Sequence, residues 1–223
     1  MMPAVKSAFR AAIVVVSIVI LLHARGVQAQ NLIQNGTFST PNVGTAWSLF
    51  QNGDVPGWTS NNNELEIDYQ AVVMPSFYKN TPGNSLEVNG TSFDSISQTI
   101  NGLNPGGLYV LSWGYGDRPG GGGNYQLNVS FDGAFVAVNT GTGSGQWTGN
   151  SVVVTAARAS ATLMFAGINA GSNPSYGNEI ASVSLVAVPE PGTLVLWGPI
   201  LLWLARRRGQ ARRIAKGQRR FFS

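Results

Sequence analysis

Between residues 30 and 188, apolar side chains recur at every second position in short runs that end at Gly, Asn or Pro. A 3.6-residue period is never sustained there. Alternation of this kind marks a strand with one buried face, so the stretch is predicted to be all-β. The candidate strands are Leu32–Gln34, Trp47–Gln51, Leu65–Tyr69, Ser85–Val88, Ser95–Ile100, Leu108–Tyr115, Tyr125–Phe131, Phe135–Asn139, Ser151–Thr155, Ala161–Phe165 and Ala181–Val186. Asp132-Gly133 between two runs predicts a tight hairpin, and Asn104-Pro105-Gly106-Gly107 a second turn. Many short strands at this spacing predict a two-sheet sandwich of the jelly-roll kind. About 160 residues bury enough surface to need no cross-links.

The two ends follow different rules. Lys6 and Arg10 precede an uncharged apolar run from Ala11 to Leu22, and Val27-Gln28-Ala29 places small residues before Gln30. This three-part pattern predicts a signal peptide over 1–29, cleaved between Ala29 and Gln30. Its run is shorter than the ~20 residues of a spanning helix. At the other end, Pro189-Glu190-Pro191 breaks the strand pattern. An apolar segment follows over 193–205, then Arg206-Arg207-Arg208 and a basic tail to 223. These features predict a short membrane helix stopped by a positive cytoplasmic flank. Thirteen residues reach only ~20 Å as a helix, which suits a temporary tether.

This tail resembles the PEP-CTERM sorting signal of exported bacterial proteins, through Pro189-Glu190-Pro191, the apolar segment and the arginine cluster. The basic extension after Arg208 is longer than usual for that signal. The N-terminal pattern predicts export through the translocon and cleavage by signal peptidase, and the short C-terminal helix predicts transient anchoring in the inner membrane. The resemblance implies removal of the tail by an exosortase, and a place on the surface or in the matrix of a Gram-negative bacterium. The organisation expected is therefore 1–29 signal peptide, 30–187 ectodomain and 188–223 sorting tail.

Charge is partitioned in the same way. The chain carries +4 overall, but residues 30–188 hold only Lys79, Arg118 and Arg158 against nine acids. An acidic domain without a basic stripe excludes a nucleic-acid partner. Cysteine is absent and the single histidine, His23, lies in the signal segment. The mature domain therefore cannot assemble a Ser-His-Asp triad, a Cys nucleophile or a His or thiolate metal site. Carboxylates, Tyr, Lys and Arg remain for any chemistry.

The domain resembles the galactose-binding-like jelly rolls. The matching segments are Asn31-Leu32-Ile33-Gln34-Asn35-Gly36-Thr37-Phe38, Val55-Pro56-Gly57-Trp58, Leu65-Glu66-Ile67, Ser85-Leu86-Glu87-Val88 and Ser95-Ile96-Ser97-Gln98-Thr99-Ile100. Gly107-Leu108-Tyr109-Val110-Leu111-Ser112, Asp117-Arg118-Pro119-Gly120, Trp147 and Ile180-Ala181-Ser182-Val183-Ser184-Leu185 complete the series. The resemblance implies binding of carbohydrate or contact with cell wall and matrix. Many such domains hold a structural calcium with an acid after the first strand and an Asp in the last. Here Ser39 and Ala181 stand at those places and Glu179 falls two residues early, so no cofactor is expected.

Several residues are candidates for a site. Glu64, Glu66 and Asp68 alternate with Leu65, Ile67 and Tyr69, so three carboxylates share one strand face. They are either a solvated face or ligands for a hard cation. Arg118 can clamp Glu66 or Glu87 internally, or bind ligand hydroxyls. Trp113 alternates within an apolar strand and is expected in the core. Trp58 and Trp147 follow turn residues and are the aromatic candidates for stacking on sugar rings. The Gly-rich segment 116–124 lacks the Lys-Ser/Thr ending of a phosphate loop.

The function expected is a non-catalytic surface or matrix protein associated with polysaccharide. One alternative is a structural biofilm component without a specific ligand. The other is a glycan hydrolase using Glu66 and Glu87, which needs two carboxyls ~5–10 Å apart across a cleft.

Overall fold

The structure is a computed structural model that describes residues 30–69, 84–120, 124–171 and 173–189. The signal segment, the apolar stretch 193–205, the basic tail, Glu190-Pro191 and Gly121–Gly123 lie outside the described residues. Eleven strands form: β1 (Trp47–Phe50), β2 (Thr59–Ser60), β3 (Leu65–Asp68), β4 (Ser85–Glu87), β5 (Ser95–Asn101), β6 (Leu108–Asp117), β7 (Asn124–Phe131), β8 (Ala134–Gly141), β9 (Trp147–Thr155), β10 (Ser160–Ala170) and β11 (Asn178–Ala187). No helix occurs among the described residues.

The strands build an antiparallel sandwich of a six-stranded sheet, β1-β3-β4-β11-β6-β9, and a five-stranded sheet, β2-β5-β10-β7-β8. All connections except β3–β4 and β7–β8 pass from one sheet to the other, the wrapping of a jelly roll. Alternation explains the core. Ile67, Leu86, Ile180 and Tyr115 stand in register across β3, β4, β11 and β6, and all four are buried. Leu127, Val129, Leu163, Phe165 and Ile96 join them in the same core from the facing sheet. Trp113 is buried as expected, and its indole N–H donates to Asn139 Oδ1 at 2.9 Å.

Both predicted turns form. Asp132 and Gly133 take φ of 50° and 81° between the paired Phe131 and Ala134, the left-handed pair that a two-residue hairpin requires. Gly107 N–H donates to Asn104 C=O at 2.8 Å, closing the second turn.

One predicted strand is corrected. Leu32–Gln34 is not a strand. This segment runs beside a bulge in β11, where the register shifts between Ala181 and Ser184 and Ser182 takes φ 49°. Its contacts there are sporadic: Leu32 N–H donates to Leu185 C=O, and Val183 N–H donates to Gly36 C=O. A bulge breaks the regular ladder that a strand needs. The short β2 went unforeseen because two residues carry no period.

Candidate functional site

Register places the candidate acids together. Glu66 stands opposite Glu87, and Glu87 opposite Glu179, across β3, β4 and β11. Since Leu65, Ile67, Leu86 and Ile180 point into the core, these carboxyls and Asp68 occupy the sheet's outer face. The same row continues outward to Leu49 on β1 and to Gly116 and Trp147 on β6 and β9. A row of six strands spans about 24 Å at ~4.8 Å per step.

The expectation of a solvated strand face is corrected. Glu66 is 5% exposed, Glu87 2%, and Asp68 and Glu179 are fully buried. Arg118 lies among them, its Nη1 2.6 Å from Glu87 Oε2 and 3.7 Å from Glu66 Oε1. The internal clamp read from the sequence is therefore present, and it uses both glutamates. The second Glu87 oxygen accepts the Gly177 N–H. A Cβ at Gly177 would lie 2.8 Å from that oxygen, so glycine lets the backbone reach the carboxylate. Tyr176 in the same turn stacks on the Arg118 guanidinium, 4.9 Å from the ring centroid, a cation–π contact.

One guanidinium serves four carboxyls. Burial and the neighbouring Asp68 push Glu66 up to about 7 despite Arg118. Burial and the nearby Glu66 push Glu87 up to about 8, with Arg118 opposing. Asp68 and Glu179 are raised as well, chiefly by burial. Neither oxygen of either group meets a donor at hydrogen-bonding geometry; their polar neighbours are each other and, at Glu179, Ser85. The arrangement resembles two acids sharing a proton.

This pattern does not suit glycoside hydrolysis. That chemistry needs two carboxyls that flank a substrate bond. Glu66 and Glu87 are both buried, and Glu87 is held at both oxygens.

The aromatic candidates separate. Trp58 is 1% exposed and packs on Phe38 and Phe165 at 5.3 and 6.3 Å, its indole N–H donating to Asn35 C=O. It is corrected from ligand candidate to core residue, because no face of the ring is left for a sugar. Proximity to Pro56-Gly57 did not bring it to a rim: the turn is closed by the Trp58 N–H on Val55 C=O, and both of those residues are buried. Trp147 is half-buried on the outer face at the β9 edge. Trp47, not singled out from sequence, is 50% exposed on the opposite edge strand, in register with Asp68. The sequence signal was present: Trp47 begins an alternating run. Asp117 was also missed; its Oδ2 accepts the N–H groups of Thr142 and Gly143, both at 2.7 Å, and of Ser144 at 3.1 Å.

No protein-family model matches the chain, and no curated protein matches it in sequence. Among solved structures, the chain is similar to a family 35 carbohydrate-binding module from Clostridium thermocellum. That match has 14% identity over 64% of this chain and 99% of the module, with a TM-score of 0.41. It is also similar to a xylan-binding domain from Paenibacillus barcinonensis, at 12% identity over 65% and 100%, with a TM-score of 0.44. A third is a protein in complex with β-1,4-galactotriose, at 15% identity over 72% and 100%, with a TM-score of 0.41. Likeness at this level carries nothing about ligand or activity.

Proposed function

We propose that this chain is an exported, non-catalytic surface or matrix protein that contacts polysaccharide through the outer face of its six-stranded sheet. The observation that carries the reading is the placement of aromatics on that face. Trp47 stands at one edge and Trp147 at the other, with the Arg118–Tyr176 stack among the reachable groups between. Sugar rings stack their C–H faces on aromatic planes, while planar polar side chains take the hydroxyls. A neutral chain meets no repulsion here, whereas an acidic one faces a domain of net negative charge. Each stacked ring contributes on the order of 1 kcal/mol, so affinity is low per site and display on a surface adds avidity.

Export and sorting rest on the sequence of the two ends. In this reading the signal peptide leaves at Ala29, and an exosortase removes the tail beginning near Pro189–Pro191. Intact-mass measurement of the exported protein checks both, and a mass that still includes Arg206–Ser223 contradicts the sorting half. A glycan array probed with the protein identifies the ligand class. Binding to no glycan favours a purely structural coat component.

A further inference from the structure

We infer that the outer-face carboxyl cluster is a calcium site, with Asp68, Glu66 and Glu87 as ligands and Glu179 beside them. One oxygen from each of Glu66, Asp68 and Glu87 lies within 4.8 Å of the other two. Oxygens on opposite sides of one calcium ion are about 5 Å apart, given Ca–O distances of about 2.3–2.6 Å. Magnesium demands near-ideal octahedral geometry and gives up its waters reluctantly, which suits three buried carboxylates less well than calcium's flexible coordination does. The all-oxygen donor set selects a hard cation and excludes soft metals.

A second observation stands apart from the clustering. Glu179 is fully buried on the adjacent strand, directly opposite Glu87; no donor reaches its oxygens at hydrogen-bonding geometry, and its polar neighbours are Asp68 and Ser85. Asp68, also fully buried, likewise meets no donor at that geometry. A buried carboxyl without a donor is costly, and two side by side are more so. Arg118 relieves them only from a distance, because its close contact is Glu87. A divalent cation between β3 and β4 would compensate both. With it, four carboxylates and one guanidinium would retain a single negative charge. These acids are not those of the calcium site implied by the family resemblance, where this chain has Ser39 and Ala181.

The test is calorimetric titration of the full-length protein with CaCl₂ after treatment with EDTA, repeated with MgCl₂. One calcium should bind per chain, at least about tenfold more tightly than magnesium. Asp68→Asn and Glu179→Gln should each weaken calcium at least about tenfold. In EDTA both variants should melt at or above the wild type, because like charge has been removed, and calcium should no longer raise their Tm. Asp54→Asn, in an exposed turn elsewhere, should bind as the wild type does. Saturable binding by neither ion, or unchanged binding by both cluster variants, overturns the site. If a variant fails to fold, the calcium content of dialysed wild type decides: one ion per chain supports the site and none overturns it.

Discussion

Arg118 and Glu87, 31 residues apart in sequence, meet at 2.6 Å on the outer face of the six-stranded sheet. The contact is mostly shielded from water: the Glu87 side chain is fully buried and that of Arg118 is 24% exposed. A buried charge pair adds little compared with apolar packing, but removing one partner strands the other. Arg118→Met should therefore destabilise the fold by about 3 kcal/mol at pH 8. The loss should be smaller at pH 5, where Glu87 takes up a proton and needs no partner. Urea unfolding at the two pH values measures the difference.

Stability should fall as pH rises from about 5 to about 8 in the presence of EDTA. Glu66 and Glu87 titrate near 7 and 8 in the fold, against 4.5 for an unperturbed glutamate. Through that window the folded chain keeps protons that the unfolded chain has released, so each added pH unit favours unfolding. Asp68 and Glu179 shift in the same direction. Thermal melts across the range should show the highest Tm in mild acid. A Tm that rises from pH 5 to pH 8 would show that these carboxyls are ionised in the fold.

Trp58→Ala should cost about 3–5 kcal/mol, the usual loss for a buried large aromatic. Trp47→Ala should change stability by less than about 0.5 kcal/mol, as befits an exposed side chain. Chemical denaturation of the two variants side by side reads the contrast. Equal effects would mean that the two tryptophans do not divide into core and surface.

Asp117→Ala should loosen the segment 142–144, since one carboxylate oxygen accepts three consecutive backbone N–H groups there. The expected loss is about 1–3 kcal/mol, the penalty for orphaned donors. Faster hydrogen exchange confined to that segment would confirm it, and unchanged exchange would refute it.

The strands other than β2 were legible in the sequence because their apolar residues recur with a period. Leu108–Asp117 shows it plainly, alternating Tyr109, Leu111, Trp113 and Tyr115 inward. Leu32–Gln34 misled because apolar content without a partner ladder does not make a strand. The acids on β3 were visible as a face, but their burial was not. Burial depends on the pairing of Glu66 with Glu87 and of Glu87 with Glu179, contacts separated by up to 92 residues that no local pattern encodes. Arg118 was foreseeable as a clamp only because the domain has so few cations. Trp58 was misjudged because a turn signal fixes where the chain bends and leaves open which way the next side chain faces.

Trp47 and Trp147 should act as one polysaccharide-contacting face, and native affinity electrophoresis reads whether they do. The full-length protein, the Trp47→Ala/Trp147→Ala double variant and a Phe135→Ala control are run through gels containing the polysaccharide selected on the array. Phe135 is 64% exposed on β8 of the other sheet. Two lost stacking contacts of about 1 kcal/mol each predict at least a tenfold loss of retardation in the double variant, with the control retarded like the wild type. Undiminished retardation of the double variant, or its loss in Phe135→Ala, would mean that polysaccharide does not bind at this face.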